Sequence, residues 1–391
     1  AAIDYKDYAC WRAEQEKTEE YAAKERWWMS QFDGGVPSLD MTTDFPRPSK
    51  PSDAGATVKM AVPPAAARKL AAITAAARAT EFPALLALWA AVLGRCARTD
   101  DLVIGVPFSG REHPDTAEMT GMFVSTLPLR IKLGAEKSFR ELVTELSALV
   151  EEARKRQDYP FESLVEKLGI ERVSSRNPVF DVVFNLSPLE APKSRGGMER
   201  RVIETEESDQ AHFDMTMRLI REEKTWAVHL NYRKELFTDE TARTVAESFV
   251  ALLCAACDNP DAKLSSLSLL SKERAAEVLS MSAGKRLDIP ADKVYHEIFS
   301  QQAALTPDNI AVGDLRLAYT YRELDRKTDA LAMSLRKMGV GRESVAAILL
   351  PRRAEITVAV LGIMKAGGAY LPIDLGYPAQ RVKYMLEDSG A

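Results

Sequence analysis

Cysteine and histidine are scarce in this 391-residue chain, and neither occurs in a pattern that carries chemistry. Four cysteines are too few and too scattered for a disulfide framework. Cys254 and Cys257 form a CxxC, but it lies within the apolar helical pattern VALLCAACDN, where we expect packing roles. No two of the four histidines are adjacent or at i, i+4 spacing, so a zinc motif on one helix is absent. We predict no metal site.

Long apolar runs and a strong excess of one charge are missing as well. No run approaches the roughly 18 apolar residues that span a bilayer, and the N-terminus has no signal-peptide pattern. The formal net charge of −5 gives no nucleic-acid signature. We therefore predict a cytoplasmic protein without membrane or nucleic-acid partners. Because the chain lacks an initiator Met and stops just after a helical pattern, we expect both ends to be truncated.

Apolar residues make up 46% of the sequence, which is enough for the cores of two or three domains. Strand and helix patterns alternate in two series, and a polar stretch with proline and several serines separates them. We predict a helix and connector in residues 1–55, a mixed α/β lobe in 56–262, an interdomain linker in 263–292, and an α/β unit with a parallel sheet in 293–391.

Local signals predict individual elements of the first lobe. Ser138 and Thr238 are good N-caps for two long helices. The apolar runs Phe213–Ile220 and Trp226–Tyr232 flank a short polar loop, which predicts a β-hairpin.

Six short motifs follow one another along the first lobe. They are YKDYACW (Tyr5–Trp11), TDFPRP (Thr43–Pro48), DDLVIG (Asp100–Gly105) with Gly110-Arg111, GMFVSTL (Gly121–Leu127) ending in Arg130, QDYPFE (Gln157–Glu162) and SRNPVF (Ser175–Phe180). In this order they resemble the C-terminal lobe of a nonribosomal peptide synthetase condensation domain, whose patterns are YxDYAxW, TDxPRP, DDxxxG…GR, GxFVNTLxLR, HQDxPFE and SRxPxF. Arg156 stands where that family often has His, and Ser125 where it has Asn.

The resemblance implies a chloramphenicol-acetyltransferase-like lobe, a mixed sheet with helices, that shapes an acceptor channel. The residues it assigns to the channel and its structural motifs are Gly121, Phe123, Thr126, Arg130, Gln157, Asp158, Pro160, Phe161, Arg176 and Pro178. We expect one or both of Asp158 and Arg176 to form buried, charge-assisted contacts at the channel floor. A purely structural alternative stays open, in which Pro160 ends a helix, Phe161 fills a core, and Arg130 and Arg176 are surface cations.

Two further motifs lie in the last hundred residues. LAYTYREL (Leu317–Leu324) reads as a strand leading into a helix, and Leu361–Ala391 reads as helix, glycine turn, short strand and proline-led helix. They resemble the N-terminal part of an adenylation (AMP-binding) domain, with Leu375 where that family prefers Pro. The core-motif residues are Lys365, Gly367, Gly368, Tyr370, Pro372, Asp374, Tyr377, Pro378 and Arg381.

The chain lacks the HHxxxDG motif that the condensation family places at its reaction centre, and it has no P-loop spacing. The resemblance implies a parent enzyme that uses ATP, Mg²⁺ and phosphopantetheine on carrier-protein domains, with aminoacyl and peptidyl thioesters as substrates. We expect this fragment to contain no catalytic residue, to bind no cofactor, and to be inactive alone. Two alternatives are a non-catalytic module that docks a carrier protein and an epimerisation-type member of the same superfamily.

Overall fold

The structure is a computed structural model that describes residues 4–111, 113–171, 173–187, 209–285, 287–288 and 290–391. The chain divides into two compact units, Ala1–Ala283 and Gly284–Ala391. Residues 286 and 289 of the predicted linker, and residues 188–208 of the predicted first lobe, lie outside the described part.

Several helices of the first unit begin after a residue whose side chain caps them. The helices of this unit are α1 (Tyr5–Gln15), α2 (Glu19–Gln31), α3 (Pro64–Ala76), α4 (Glu81–Ala97), α5 (Phe139–Arg154), α6 (Phe161–Lys167), α7 (Asp239–Asp258) and α8 (Lys272–Ser282). Those with such a cap include α1, α2, α5, α7 and α8. Ser138 Oγ accepts from the Glu141 N–H at 3.2 Å, and Thr238 Oγ1 accepts from the Thr241 N–H at 3.3 Å, so both predicted caps are confirmed. Pro160 is the N-cap residue of α6 rather than the end of a helix, because the missing N–H of proline is tolerated at a helix start.

A six-stranded sheet crosses the first unit. Its strands are β1 (Gly55–Ala61), β2 (Asp101–Phe108), β3 (Ser125–Lys132), β4 (Val182–Ser187), β5 (Met215–Arg221) and β6 (Trp226–Arg233), in the order β1-β6-β5-β4-β2-β3. β4 is parallel to both β2 and β5, and the other pairs are antiparallel. The predicted mixed sheet and the β5–β6 hairpin are confirmed.

The core of the first unit is built around α4. Every residue from Pro83 to Gly94 is buried, as expected for a helix that is apolar on all sides, and α4 packs against α5 and α7. Cys257 is buried in α7, and Cys254 is half-buried there. Burial raises the pKa of the Cys257 thiol to about 12, which suits a packing role.

Two features of the described residues concern metal ions and membranes. The described residues contain no group of three or more His, Cys, Asp or Glu side chains that could hold a metal ion. Within the same residues no single helix is long and apolar enough to cross a membrane. Taken together, α3 and α4 have the length and composition of a membrane span, but the pair is bent by 114°.

The second unit contains two small sheets. Its elements are α9 (Tyr295–Leu305), β7 (Ile310–Gly313), β8 (Ala318–Thr320), α10 (Tyr321–Lys337), β9 (Val345–Ile348), α11 (Ala354–Ala366), β10 (Ala369–Pro372) and α12 (Ala379–Ser389). β9 and β10 are parallel and joined through α11, as predicted. The prediction is wrong for β7 and β8, which form an antiparallel pair. Their connection is too short for a crossover, and Asp314 Oδ1 closes it by accepting the Arg316 N–H at 2.7 Å.

Candidate functional site

Two adjoining recesses in the first unit share one wall. The large recess, ≈ 660 Å³, and the small recess, ≈ 420 Å³, are both lined by Phe161, Glu162, Asn177, Pro178 and Phe180. We call them together the recess pair. Of the ten condensation-type residues singled out in the sequence, six line it: Phe123, Thr126, Pro160, Phe161, Arg176 and Pro178. Residues far apart in the chain therefore converge on one place.

The shared wall is aromatic. The ring centroids of Phe161 and Phe180 are 5.4 Å apart, and those of Phe180 and Phe213 are 5.7 Å apart with nearly parallel planes. Such offset contacts are favourable and hold the rings in one arrangement. Ser125 and Thr126 of β3 add hydroxyl groups to the lining of the small recess. The large recess is thus mostly apolar, whereas the small recess has a more polar lining.

The loop that carries this wall is held in a strained shape. Val179 has a φ of 72°, a left-handed conformation that is costly for a β-branched residue, and it is buried. The backbone N–H of Asn177 donates to Asp181 Oδ1 at 3.0 Å, and the Asn177 amide donates to the carbonyl of His212 at 3.1 Å. These bonds on both sides fix Pro178 and Phe180 at the recess wall.

Arg176 sits at the rim of the large recess in a network of charges. Its guanidinium pairs with Asp40, donates to Ser38 Oγ at 2.9 Å, and lies 3.4 Å from Asp181 Oδ2. The hydrogen bond from Arg176 lowers the pKa of Asp40, while burial raises the pKa of Asp181. The Arg176 side chain is 30% exposed, so the expectation of a buried ion is wrong: the rim leaves one side of the guanidinium in solvent.

Asp158 lies away from the recess pair. Its Oδ2 accepts from Lys24 Nζ at 2.8 Å, and its backbone carbonyl accepts from Arg12 at 3.1 Å, which ties the α5–α6 turn to α1 and α2. The carboxylate is charge-assisted but 30% exposed, and Asp158 lines neither recess. The expected charge-assisted contact is present and partly buried, since Asp158 Oδ1 is buried and the Lys24 side chain is 17% exposed.

Gly121, Gln157 and Arg130 support the site from outside it. A Cβ atom at Gly121 would stand 2.1 Å from the Tyr5 ring, so this position has no room for a side chain. Gln157 is buried, and its Oε1 accepts from the Gly110 N–H at 2.9 Å. Arg130 makes a bidentate pair with Asp101 at 2.6 and 2.9 Å and is only 11% exposed.

The core-motif lysine of the second unit is an internal ion. Lys365 Nζ lies 2.6 Å from Asp325 Oδ1 and 2.7 Å from Asp329 Oδ1, and its side chain is 8% exposed. Gly367 ends α11 with a φ of 95°, which explains the glycine. At the next residue, Gly368, a Cβ atom would stand 2.8 Å from Val340.

The other core-motif residues lie at element ends or on the surface. Arg381 stacks over the Tyr377 ring at 4.4 Å, and Asp374 Oδ1 accepts from the Gly376 N–H at 2.9 Å. Pro372 ends β10, Pro378 caps α12 instead of entering its first turn, and Tyr370 is 45% exposed.

Sequence reasoning missed the acidic partners of the site. Asp181 and Asp214 are buried side by side, and Arg47 pairs with Asp214 while donating to the carbonyl of Ser175 at 3.2 Å. Arg47 belongs to the TDFPRP motif, and Asp181 directly follows the SRNPVF motif. The position of Arg47 within one motif and of Asp181 next to another is the signal that could have identified these two residues.

Comparison with family models covers nearly the whole chain. The model described as Condensation domain matches residues 1–279, and the model described as AMP-binding enzyme matches residues 299–391.

Similar full-length proteins are much longer than this chain. Surfactin synthase subunit 2 of Bacillus subtilis (strain 168) is 37% identical over 389 residues, covering 100% of this chain and 11% of that protein. Gramicidin S synthase 2 of Aneurinibacillus migulanus is 36% identical over 391 residues, covering 100% of this chain and 9% of that protein.

Solved structures share the fold. A four-domain nonribosomal peptide synthetase bound to AMP and glycine superimposes with a TM-score of 0.79 at 20% identity, covering 96% of this chain and 30% of that one. The X-domain from teicoplanin biosynthesis gives a TM-score of 0.63 at 26% identity, covering 69% of this chain and 63% of that one.

Proposed function

We propose a function from one premise: this chain belongs to the condensation-domain family of nonribosomal peptide synthetases, with AMP-binding-enzyme sequence after it, as its motifs predicted. The recess pair is the acceptor-side wall of the channel in which carrier-bound aminoacyl and peptidyl thioesters are joined. Its ligand is the phosphopantetheine arm of a carrier-protein domain, together with the aminoacyl group at the end of that arm. The chain contributes binding and orientation at this wall.

One observation supports this proposal above the others. Six motif residues from three separate stretches of sequence line a single pair of recesses that share the wall of Phe161 and Phe180. A pantetheine arm is a long, flexible chain with amide groups and no charge beyond its phosphate. A groove with a mostly apolar large recess and a more polar small recess suits such a chain, because apolar contact supplies affinity and the polar groups fix its position.

The second unit contributes scaffold in this proposal. Its core-motif residues are engaged within the unit: Lys365 with two aspartates, Arg381 with Tyr377, and Asp374 with its own turn. The ATP and Mg²⁺ chemistry implied by AMP-binding enzymes is assigned to none of these residues.

The test is a titration of the full chain with an aminoacyl-pantetheine amide, a stable stand-in for the thioester. Methyl NMR of valines reports the site, since Val165, Val173 and Val179 line the large recess and Val124 lines the small one. We expect these methyl signals to shift and Val278 in α8 to stay in place. Ser125→Trp, which places an indole in the small recess, should abolish the shifts, whereas Ser280→Trp on α8 should not. Shifts elsewhere, or binding that survives Ser125→Trp, would contradict the proposal.

A second candidate is docking without catalysis. The X-domain from teicoplanin biosynthesis has been solved in complex with OxyB, and that structure matches 69% of this chain with a TM-score of 0.61 at 26% identity. A docking module of this kind recognises the surface of a partner protein rather than a thioester arm. Measuring the binding of carrier protein with and without its phosphopantetheine arm separates the two candidate functions. Equal binding of both forms supports docking, and tighter binding of the form with the arm supports the channel proposal.

A further inference from the structure

Another recess lies against α1, and it shares no lining residue with the recess pair. Its volume is ≈ 210 Å³, and its lining includes Asp7, Tyr8, Trp11, His113, Asp115 and Met119. We call it the aromatic recess. Sites for drug-sized molecules have volumes of roughly 300–1,000 Å³, so a space of this size suits a head group or one side chain.

Three rings meet at angles in the aromatic recess. Tyr8 and Trp11 are one turn apart on α1, with ring centroids 5.8 Å apart and planes tilted by 35°. The rings of Trp11 and His113 have centroids 6.2 Å apart and planes tilted by 54°. Trp11 is 44% exposed, so a ligand can reach this wall from solvent. The backbone N–H of Asp115 donates to His113 Nδ1 at 3.4 Å.

The charges around the aromatic recess favour a cation. Asp7 and Asp115 both line it, and the Asp115 side chain is 55% exposed. The cation next to it, Arg111, is committed to the protein: its guanidinium donates to the carbonyls of Thr116 and Met119 and lies 4.2 Å from the centroid of the Phe123 ring. Asp7 Oδ2 accepts the backbone N–H of Asp4 at 3.0 Å, and Asp115 Oδ2 lies 3.4 Å from His113 Nδ1. The remaining carboxylate oxygens face a ligand space whose lining contains no lysine or arginine.

We propose that the aromatic recess binds an alkylammonium group, meaning a primary or quaternary ammonium head on an apolar chain. Ring faces attract such a cation, and the attraction is strongest for the indole of tryptophan. The carboxylates of Asp7 and Asp115 balance its charge, and the thioether of Met119 packs against its methyl or methylene groups. Neither an anion nor a neutral group of the same shape satisfies both the rings and the carboxylates. This site does not depend on the proposed channel.

Saturation-transfer NMR on the full chain tests this site with three probes of defined chemistry. Choline carries a quaternary head, n-butylammonium carries a primary one, and 3,3-dimethylbutan-1-ol has the shape of choline without its charge. We expect at least one cation to bind saturably, with a dissociation constant on the order of millimolar, and the neutral alcohol to bind about tenfold more weakly or less. A fourth probe, N-acetyl-lysine methylamide, shows whether a lysine side chain of another protein fits as well as a free amine.

Variants locate the binding. Trp11→Ala should weaken it about tenfold, and Asp115→Asn about threefold to tenfold, since each removes one of the two attractions. Asp308→Asn, which removes an exposed carboxylate of the second unit, is the matched control and should change nothing. Circular dichroism verifies that each variant is folded. Equal binding of choline and its neutral analogue, no saturable binding of either cation, or unchanged affinity in both recess variants would overturn the proposal.

Discussion

Phe180 packs directly on Gly105 of β2. A Cβ atom at position 105 would stand 2.3 Å from Cε2 of the Phe180 ring, closer than real side chains approach. Gly105 is buried and pairs with Val183 of β4, so neither strand can move aside easily. The missing side chain is what allows Phe180 to reach the sheet, to contact the tilted ring of Phe161 and to stack with Phe213 in the wall of the recess pair.

Gly105→Ala should therefore destabilise the first unit. We expect the free energy of unfolding to fall by about 1–3 kcal/mol, the usual cost of overpacking, because the stacked rings cannot yield. Urea unfolding followed by tryptophan fluorescence measures this, since all five tryptophans precede Gly284. Gly284→Ala, at a position with no atom within 4 Å of the new Cβ, is the control. Equal stability of the two variants would show that Phe180 does not depend on Gly105.

At Val179 we expect the glycine variant to be more stable than the alanine variant, the reverse of the usual order. At a φ of 72° a side chain is penalised and glycine is not, so Val179→Gly should be more stable than Val179→Ala by about 1 kcal/mol. Both variants lose most of the buried valine side chain, so the comparison isolates the backbone term.

The control position for this comparison is Val183, which is also buried but lies within strand β4. There the ordinary order holds, and Val183→Gly should be less stable than Val183→Ala. Chemical denaturation of all four variants gives the answer. If the alanine variant were more stable than the glycine variant at both positions, Val179 would not be held in a left-handed conformation in solution.

Arg176→Ala should cost about 1–3 kcal/mol of unfolding free energy, as for the loss of a charged hydrogen-bonding partner near a buried carboxylate. The cost stays below the roughly 3–5 kcal/mol of a fully buried ion pair because solvent reaches the guanidinium. The pKa of Asp40, which Arg176 lowers, should rise in the variant, and NMR titration of its carboxyl measures this. Arg322→Ala, which breaks an exposed pair, is the control. Unchanged melting together with an unchanged Asp40 titration would reduce Arg176 to a surface cation.

Tyr232 gives the fold a defined response to alkaline pH. Burial, and then the hydrogen bond from its hydroxyl to Asp239 Oδ1 at 2.6 Å, raise the pKa of Tyr232 to about 12, against about 10 for a free tyrosine. Above pH ~10 the unfolded chain releases this proton while the folded chain keeps it, so stability falls as pH rises from about 10 to about 12.

Tyr232→Phe should therefore show a smaller loss of stability across that window. Urea unfolding at pH 9 and pH 11.5 measures the difference. Asp239→Asn, which removes the hydrogen-bonding carboxylate but not the burial, should give an intermediate loss. Identical pH profiles for Tyr232→Phe and the parent chain would contradict this assignment.

Local sequence signals predicted most of the fold. The caps at Ser138 and Thr238, the β5–β6 hairpin and the glycine end of α11 depend on residues close in the chain, and all are confirmed. The pairing of β7 with β8 was predicted wrongly, because alternation of strands and helices does not reveal a turn too short for a crossover.

The candidate site was predictable in its motifs but not in its contacts. Phe161, Arg176 and Pro178 were singled out, and they do line the recess pair. The Arg176 partner Asp40 was not predicted, because it lies 136 positions away along the sequence. Likewise, nothing local in the sequence indicates that the side chain missing at Gly105 makes room for Phe180.

The measurement that tests the central proposal most directly is cross-link mapping. A carrier protein whose phosphopantetheine arm ends in a photoreactive aminoacyl group is irradiated with the full chain, and mass spectrometry identifies the labelled residues. We predict labels on the lining of the recess pair, within residues 122–126, 160–162 and 176–180. Labels confined to α8 or the second unit, or equal labelling of Ser125→Trp and the parent chain, would contradict the proposal that this wall receives the arm.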